Sequence, residues 1–163
     1  MFIIDTTPNF SDAEIFSILC DVYVDEGYTD VEHAQKAFEP DSVRKRGQII
    51  AARSTQDQEL AGLVILVHAD TPAARLAKEN ESEIHLLCVR KGFRGQGLGR
   101  QLVSAVVELA QKANREKLIL WTQTSMTAAQ KLYESVGFVF QNTMEINNRT
   151  FKVYEKDLTF TDG

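Results

Sequence analysis

The sequence predicts one mixed α/β domain (α+β in some schemes), spanning residues 1–163, with a central sheet of about six to seven strands flanked by about four helices. Three observations predict it. Residues 84–121 read in the order strand, glycine-rich loop, amphipathic helix, strand, which is a βαβ unit. Other strand-like runs and helical stripes alternate before and after that unit. With 163 residues, 44% of them hydrophobic, the chain can build one core and has no room for two comfortable domains.

The elements follow in order. Phe2 to Asp5 is a short strand. Ser11-Asp12-Ala13-Glu14 is a capping box opening a helix whose Ile15, Ile18, Leu19 and Val22 form one stripe, and Gly27 ends it. A weaker helix covers Val31 to Phe38. Gln48 to Arg53 and Leu60 to Val67 are strands joined by the polar turn Ser54 to Glu59. Thr71 to Glu81 is charged and alanine-rich, read as a short helix or mobile loop and, more simply, as a solvated excursion. Ile84 to Val89 is a mostly buried strand. Leu98, Leu102, Ala105, Val106, Leu109 and Ala113 recur at helical spacing, and Lys117 to Trp121 is the next strand. A helix over 126–136, with Ser125 as its candidate N-cap, precedes a closing hairpin of Phe138 to Glu145 and Phe151 to Asp157 about Asn147-Asn148.

The most informative stretch is Arg94-Gly95-Gln96-Gly97-Leu98-Gly99, between the strand and the long helix. Glycines let the backbone approach a ligand closely, and the unpaired N–H groups of a first helical turn favour negative charge. Arg94 adds a forked cation. Two phosphate motifs fail on register: the dinucleotide fingerprint needs wider spacing than Gly95, Gly97 and Gly99 provide, and a nucleotide-triphosphate loop needs Lys-Ser or Lys-Thr where Arg100-Gln101 stands. A nucleotide-dependent oxidoreductase is disfavoured on the same ground.

The loop resembles the cofactor signature of the GNAT superfamily of N-acyltransferases, filled here by Arg94, Gly97 and Gly99. Ala129, Leu132, Tyr133, Glu134, Gly137 and Phe138 match that family's second signature. The resemblance covers residues 82–140; Lys91 and Met126 depart from residues common in the family, Pro and Asn. It implies a GNAT-like fold and an acetyl-CoA-dependent N-acetyltransferase, an acyltransferase of groups other than aminoacyl. The acceptor would be a small-molecule or peptide primary amine attacking directly in a ternary complex. It further implies that the loop amides of Gly95, Gln96, Gly97, Leu98, Gly99 and Arg100, with Arg94, bind diphosphate, that Leu87, Cys88 and Val89 bind pantetheine, and that Ser125 and Tyr133 contact the cofactor.

Acyl transfer needs an unprotonated amine, a stabilised oxyanion and a proton for the departing thiolate. Period-two alternation places Glu83 and His85 on one strand face. Glu83 matches the family's frequent water-mediated base, with His85 the second choice for base or substrate contact. The resemblance implies a bulge that splays this strand near the thioester with Val89 N–H as the oxyanion donor, and Tyr133 as the acid, although a packed helix-face aromatic also accounts for Tyr133. Tyr23 and Tyr28 are candidate acceptor contacts, and Glu26 and Asp30 could hold an ammonium group. The competing function is a non-catalytic acyl-CoA sensor or interaction domain.

Composition narrows the partners. A formal charge of −5 argues against nucleic acid and mildly favours a cationic substrate by long-range steering. No apolar run approaches a membrane span, and Met1-Phe2-Ile3-Ile4-Asp5 lacks the features of a signal peptide, so a cytoplasmic location is expected. Cys20 and Cys88 offer neither a metal site nor a disulfide framework, and no metal is expected. Monomer and homodimer both stay open.

Overall fold

A computed structural model describes residues 1–6 and 10–159. Seven strands form one sheet in the order β1-β2-β3-β4-β5-β7-β6. Their ranges are β1 Phe2–Asp5, β2 Gln48–Ser54, β3 Leu60–His68, β4 Glu81–Val89, β5 Lys117–Gln123, β6 Val139–Ile146 and β7 Arg149–Asp157. All neighbours run antiparallel except β4 and β5, which are parallel as a βαβ unit requires.

Among the described residues there are five α-helices: α1 Asp12–Leu19, α2 Val31–Ala37, α3 Pro40–Arg46, α4 Leu98–Lys112 and α5 Thr127–Ser135. The Ser11–Glu14 capping box is formed in both directions, and α1 runs on as a π turn over Cys20–Val24. Helix α3 falls where sequence patterning placed no element. Only Val43 of its seven residues is buried, so it carries no apolar stripe; it forms because Glu39 accepts from the Asp41 and Ser42 amides, Pro40 stands in the first turn, and Arg44, Lys45 and Arg46 meet the C-terminal dipole.

The sheet divides two cores. On one face α4 and α5 bury Leu98, Leu102, Val103, Val106 and Ala110 against Ile50, Val64, Ile84, Leu118 and Leu120. On the other, α1 to α3 bury Ile15, Ile18, Leu19, Phe38 and Val43 against Ile49, Leu63, Ile65 and Val67. Each fully buried aliphatic side chain contributes about 2 kcal/mol.

Strand β4 carries the feature that positions the site. Its pairing with β3 slips between Ile65↔His85 and Leu63↔Cys88, so Leu86 and Leu87 oppose Val64 alone, and Leu86 takes φ +54°. This bulge inverts the alternation: His85 and Cys88 share one face, while Leu87 and Val89 pack on the other. Strand β5 has already left β4 before the bulge, the last paired residues being Glu83↔Ile119.

Of the two readings of 71–80, a short helix or a loop, the structure shows a loop, and the amides of Arg75, Leu76 and Ala77 bind Glu83. The β6–β7 hairpin turns at Asn147 and Asn148, φ +50° and +65°, which asparagine tolerates. No helix of the described residues is long and apolar enough to cross a membrane.

Candidate functional site

Two cavities open on the diverging strands, with a third, smaller one between β4 and β5 that shares lining residues with each. The first, about 430 Å³, is lined by Leu87, Cys88 and Val89 of β4, by Arg94, Gly95, Gly97, Leu98, Gly99 and Arg100, and by Ser125 to Ala129 at the start of α5. Gly95 and Gly97 both take φ +80°, with open space where a Cβ would stand, so their requirement is conformational. At Gly99 the requirement is space: a Cβ would lie 2.9 Å from Leu132 Cδ2 of α5. Helix α4 starts at Gly97 with no side-chain cap, and α5 starts at Met126 with none either, so first-turn N–H groups of both helices lie at this cavity unclaimed by side chains. Ser125 is therefore a lining residue here, not the cap.

Arg94 has a neighbour that sequence spacing does not reveal. Its fork meets Glu26, holding that carboxyl below its usual range, and its Nε donates to Val89 O at 3.0 Å. Gln96 is exposed beside the loop, outside the cavity lining.

The edge of β4 beyond the bulge faces the gap. Arg90 N–H bonds Ala61 O on β3, so Val89, one residue earlier, points its amide away from β3, where β5 has already departed. The carbonyls agree: Leu87 O accepts from Tyr23 Oη at 2.8 Å, and Val89 O accepts from Arg94.

The second cavity, about 630 Å³, lies toward α2 and α3 and is bounded by Tyr23, Tyr28, Arg46, His85, Trp121 and Arg149, among others. Tyr28 borders both cavities. Of the two acids that could hold an ammonium, Glu26 pairs with Arg94, and Asp30 caps α2 by accepting from His33 N–H at 2.7 Å.

The small cavity between β4 and β5, about 140 Å³, is bordered by His85, Leu87, Thr122, Met126 and Tyr133. The Thr122 hydroxyl is buried without a hydrogen-bond partner, and the Tyr133 hydroxyl has none among the described residues. Burial drives the Tyr133 pKa upward, so it is a protonated donor at neutral pH.

Glu83 and His85 lie together, with unequal access. Glu83 is 0% exposed. Its Oε2 accepts from the amides of Arg75, Leu76 and Ala77 at 2.8, 2.6 and 2.7 Å, and its Oε1 meets His85 Nε2 at 2.7 Å. Burial alone would raise its pKa, yet the His85 bond and these amides hold it below the usual carboxylate range. Glu83 lines none of the three spaces described. His85 lines two of them, and its ring packs edge-on to Trp121 at 5.1 Å. Arg46 Nη1 lies 3.3 Å from His85 Nδ1. A guanidinium can only donate, so Nδ1 carries a lone pair and Nε2 carries the proton given to Glu83.

Cys88 is buried, its thiol pushed up to about 12, and Cys20 is also raised by burial; neither is a thiolate at neutral pH. Sequence reasoning missed Arg46, Arg75, Trp121 and Arg149. A proline followed by an acidic first turn and a basic last turn was the available signal for the helix that carries Arg46.

This arrangement has counterparts. The family model described as "Acetyltransferase (GNAT) family" matches residues 12–138. An uncharacterized N-acetyltransferase of Methanocaldococcus jannaschii is 32% identical over 65 residues, 40% of this chain and 29% of that protein. Across the first curated relatives, this chain matches only 21% to 35% of their length. A GNAT-family acetyltransferase structure from Staphylococcus aureus Mu50 superposes with TM-score 0.76 at 20% identity, covering 97% of this chain and 99% of that one. A Bacillus subtilis acetyltransferase in complex with CoA superposes with TM-score 0.67 at 20% identity, covering 96% and 99%. With over half of its length matched by the family model, and with this sheet and this glycine loop, the chain belongs to the GNAT acetyltransferase family.

Proposed function

We propose that the chain transfers an acetyl group from acetyl-CoA to a primary amine, the amine attacking directly with both substrates bound. The observation that carries this reading is the small cavity between β4 and β5, which borders both larger cavities and holds two hydroxyls, Thr122 and Tyr133, without a hydrogen-bond partner among the described residues.

The residues present fit coenzyme A. Uncapped amides at Leu98, Gly99 and Arg100 would hold its diphosphate, and the unpaired backbone edge of Leu87 to Val89 would hold the pantetheine arm. Bound there, acetyl-CoA supplies a thioester already activated for aminolysis.

The chain's own groups meet the three demands of the chemistry. His85 Nδ1 accepts the amine proton, because Glu83 fixes the other nitrogen as the protonated one. This gives Glu83, first read as the base, the part of orienting His85 and holding segment 75–77. The Val89 amide, turned into the gap, is placed to donate to the developing oxyanion, a contribution of about 3 kcal/mol for one well-aimed donor. Tyr133 donates a proton to the departing sulfur. With both thiols protonated, a covalent acyl-cysteine step is not needed.

Thiol release measured with acetyl-CoA and a panel of amines tests this reading. Turnover that disappears on omitting the amine supports it. Binding of acetyl-CoA without turnover on any amine would instead make the chain an acyl-CoA sensor.

A further inference from the structure

The cavity on the α2–α3 side has a charge that the whole molecule does not share. The chain has 23 acidic residues against 18 lysines and arginines. Of the six arginines elsewhere, five lie within 4 Å of a carboxylate, namely Arg44, Arg53, Arg90, Arg94 and Arg115, and Arg100 meets the Ser135 hydroxyl. Arg46, Arg75 and Arg149 all line this cavity, and none has a carboxylate partner among the described residues. Arg46 reaches only His85 Nδ1 and the Ala37 carbonyl, and Arg149 reaches the Tyr28 carbonyl and Gln123 Oε1. The acid that borders the cavity, Asp30, is already engaged as the cap of α2.

We propose that the acceptor is an amine that also carries a carboxylate, which seats on Arg46 with Arg75 and Arg149 beside it. The inference rests on the acetyl-transfer reading and narrows its substrate. A half-buried guanidinium without a counter-ion is left under-compensated, and a carboxylate matches its fork with two parallel hydrogen bonds. Burial, and next the neighbouring charge of Arg75, hold the Arg46 pKa below its ordinary value, the strain that an incoming anion relieves.

Position adds to charge. Because Arg46 Nη1 sits 3.3 Å from His85 Nδ1, an anion on Arg46 brings an amine one or two carbons away to the nitrogen that must take its proton. In the empty site Arg46 donates to that same nitrogen, so a carboxylate that draws the guanidinium toward itself also frees the lone pair. Arg46 thereby acts as both anchor and positioning residue.

The test is initial-rate thiol release with acetyl-CoA and matched acceptors: free amino acids, their carboxamides, spermidine and O-phosphoethanolamine. For the parent protein, the best amino acid should exceed its own carboxamide in kcat/KM by at least about tenfold, the loss of one charge-assisted hydrogen-bonded contact. In Arg46→Gln that ratio should fall toward one, while calorimetric affinity for acetyl-CoA stays at the parent value. Arg75→Gln and Arg149→Gln, at exposed positions, should each narrow the ratio partially and keep the result readable even if Arg46→Gln unfolds. Carboxamides or spermidine matching the acids, phosphoethanolamine exceeding them, or an undiminished ratio in all three variants would overturn the inference alone. No thiol release with any amine, from protein that binds acetyl-CoA, would overturn the acetyl-transfer reading and this inference together.

Discussion

At the residue scale, Glu83, His85 and Tyr133 divide the labour of moving a proton. Replacing Glu83 by Gln removes the charge that three amides and one imidazole share, so urea denaturation should show a loss of about 2 to 4 kcal/mol, with turnover falling alongside. His85→Gln should separate the two effects: kcat drops by about a hundredfold or more, while acetyl-CoA affinity and stability are unchanged. Tyr133→Phe should behave oppositely to a structural lesion. Its hydroxyl makes no hydrogen bond among the described residues, so the variant should melt at or slightly above the parent temperature while kcat falls by about tenfold. The sequence allowed Glu83 and His85 to be placed on one strand face, because alternation is a local rule. It gave no means of seeing that Glu83 is claimed by amides from an irregular segment, since those bonds depend on where a loop returns.

At the element scale, the glycine loop and α4 were legible for opposite reasons. Helix α4 announces itself by a long apolar stripe, and the loop by glycines at positions where φ is positive. Gly97→Ala should cost about 1 kcal/mol from the left-handed backbone alone, with no steric conflict. Gly99→Val should cost more and weaken acetyl-CoA binding, since its side chain meets Leu132 and would part α4 from α5. Melting temperatures and calorimetric titrations of the pair distinguish strain from collision. Two features had no signal in residue patterning. The bulge at Leu86, implied by the family resemblance alone, lies in a run of Leu-Leu-Cys-Val with no glycine or proline to mark it, and α3 buries one apolar side chain, too few to make a stripe. Both matter, because the bulge turns Val89 toward the gap and α3 carries Arg46 to His85.

At the scale of the whole molecule, net charge and the charge around one cavity differ in sign. A charge of −5 suggested cationic ligands, yet much of the excess acid lies in surface pairs and caps while one cavity gathers three arginines. Those surface pairs predict the acid limb of stability. Bonds from Arg53 and from the Ser11 amide hold the Glu14 carboxyl down to about 2. A carboxyl depressed in the folded state stabilises at pH values above its unfolded range and ceases to do so as pH falls through its folded value. The melting temperature of Glu14→Gln should therefore lie below the parent's at pH 7, with the gap closing between about 4.5 and 2.

The central claim is that the parting of β4 and β5 holds the thioester arm while the start of α4 holds its diphosphate. Amide chemical shifts recorded during titration with acetyl-CoA address it most directly. The account predicts saturable shifts concentrated at Leu87 to Val89 and Gly97 to Arg100, with the Val89 amide moving back when CoA lacking the acetyl group is bound instead. Saturation with those amides unmoved and the shifts elsewhere, or no shifts at all, would contradict it.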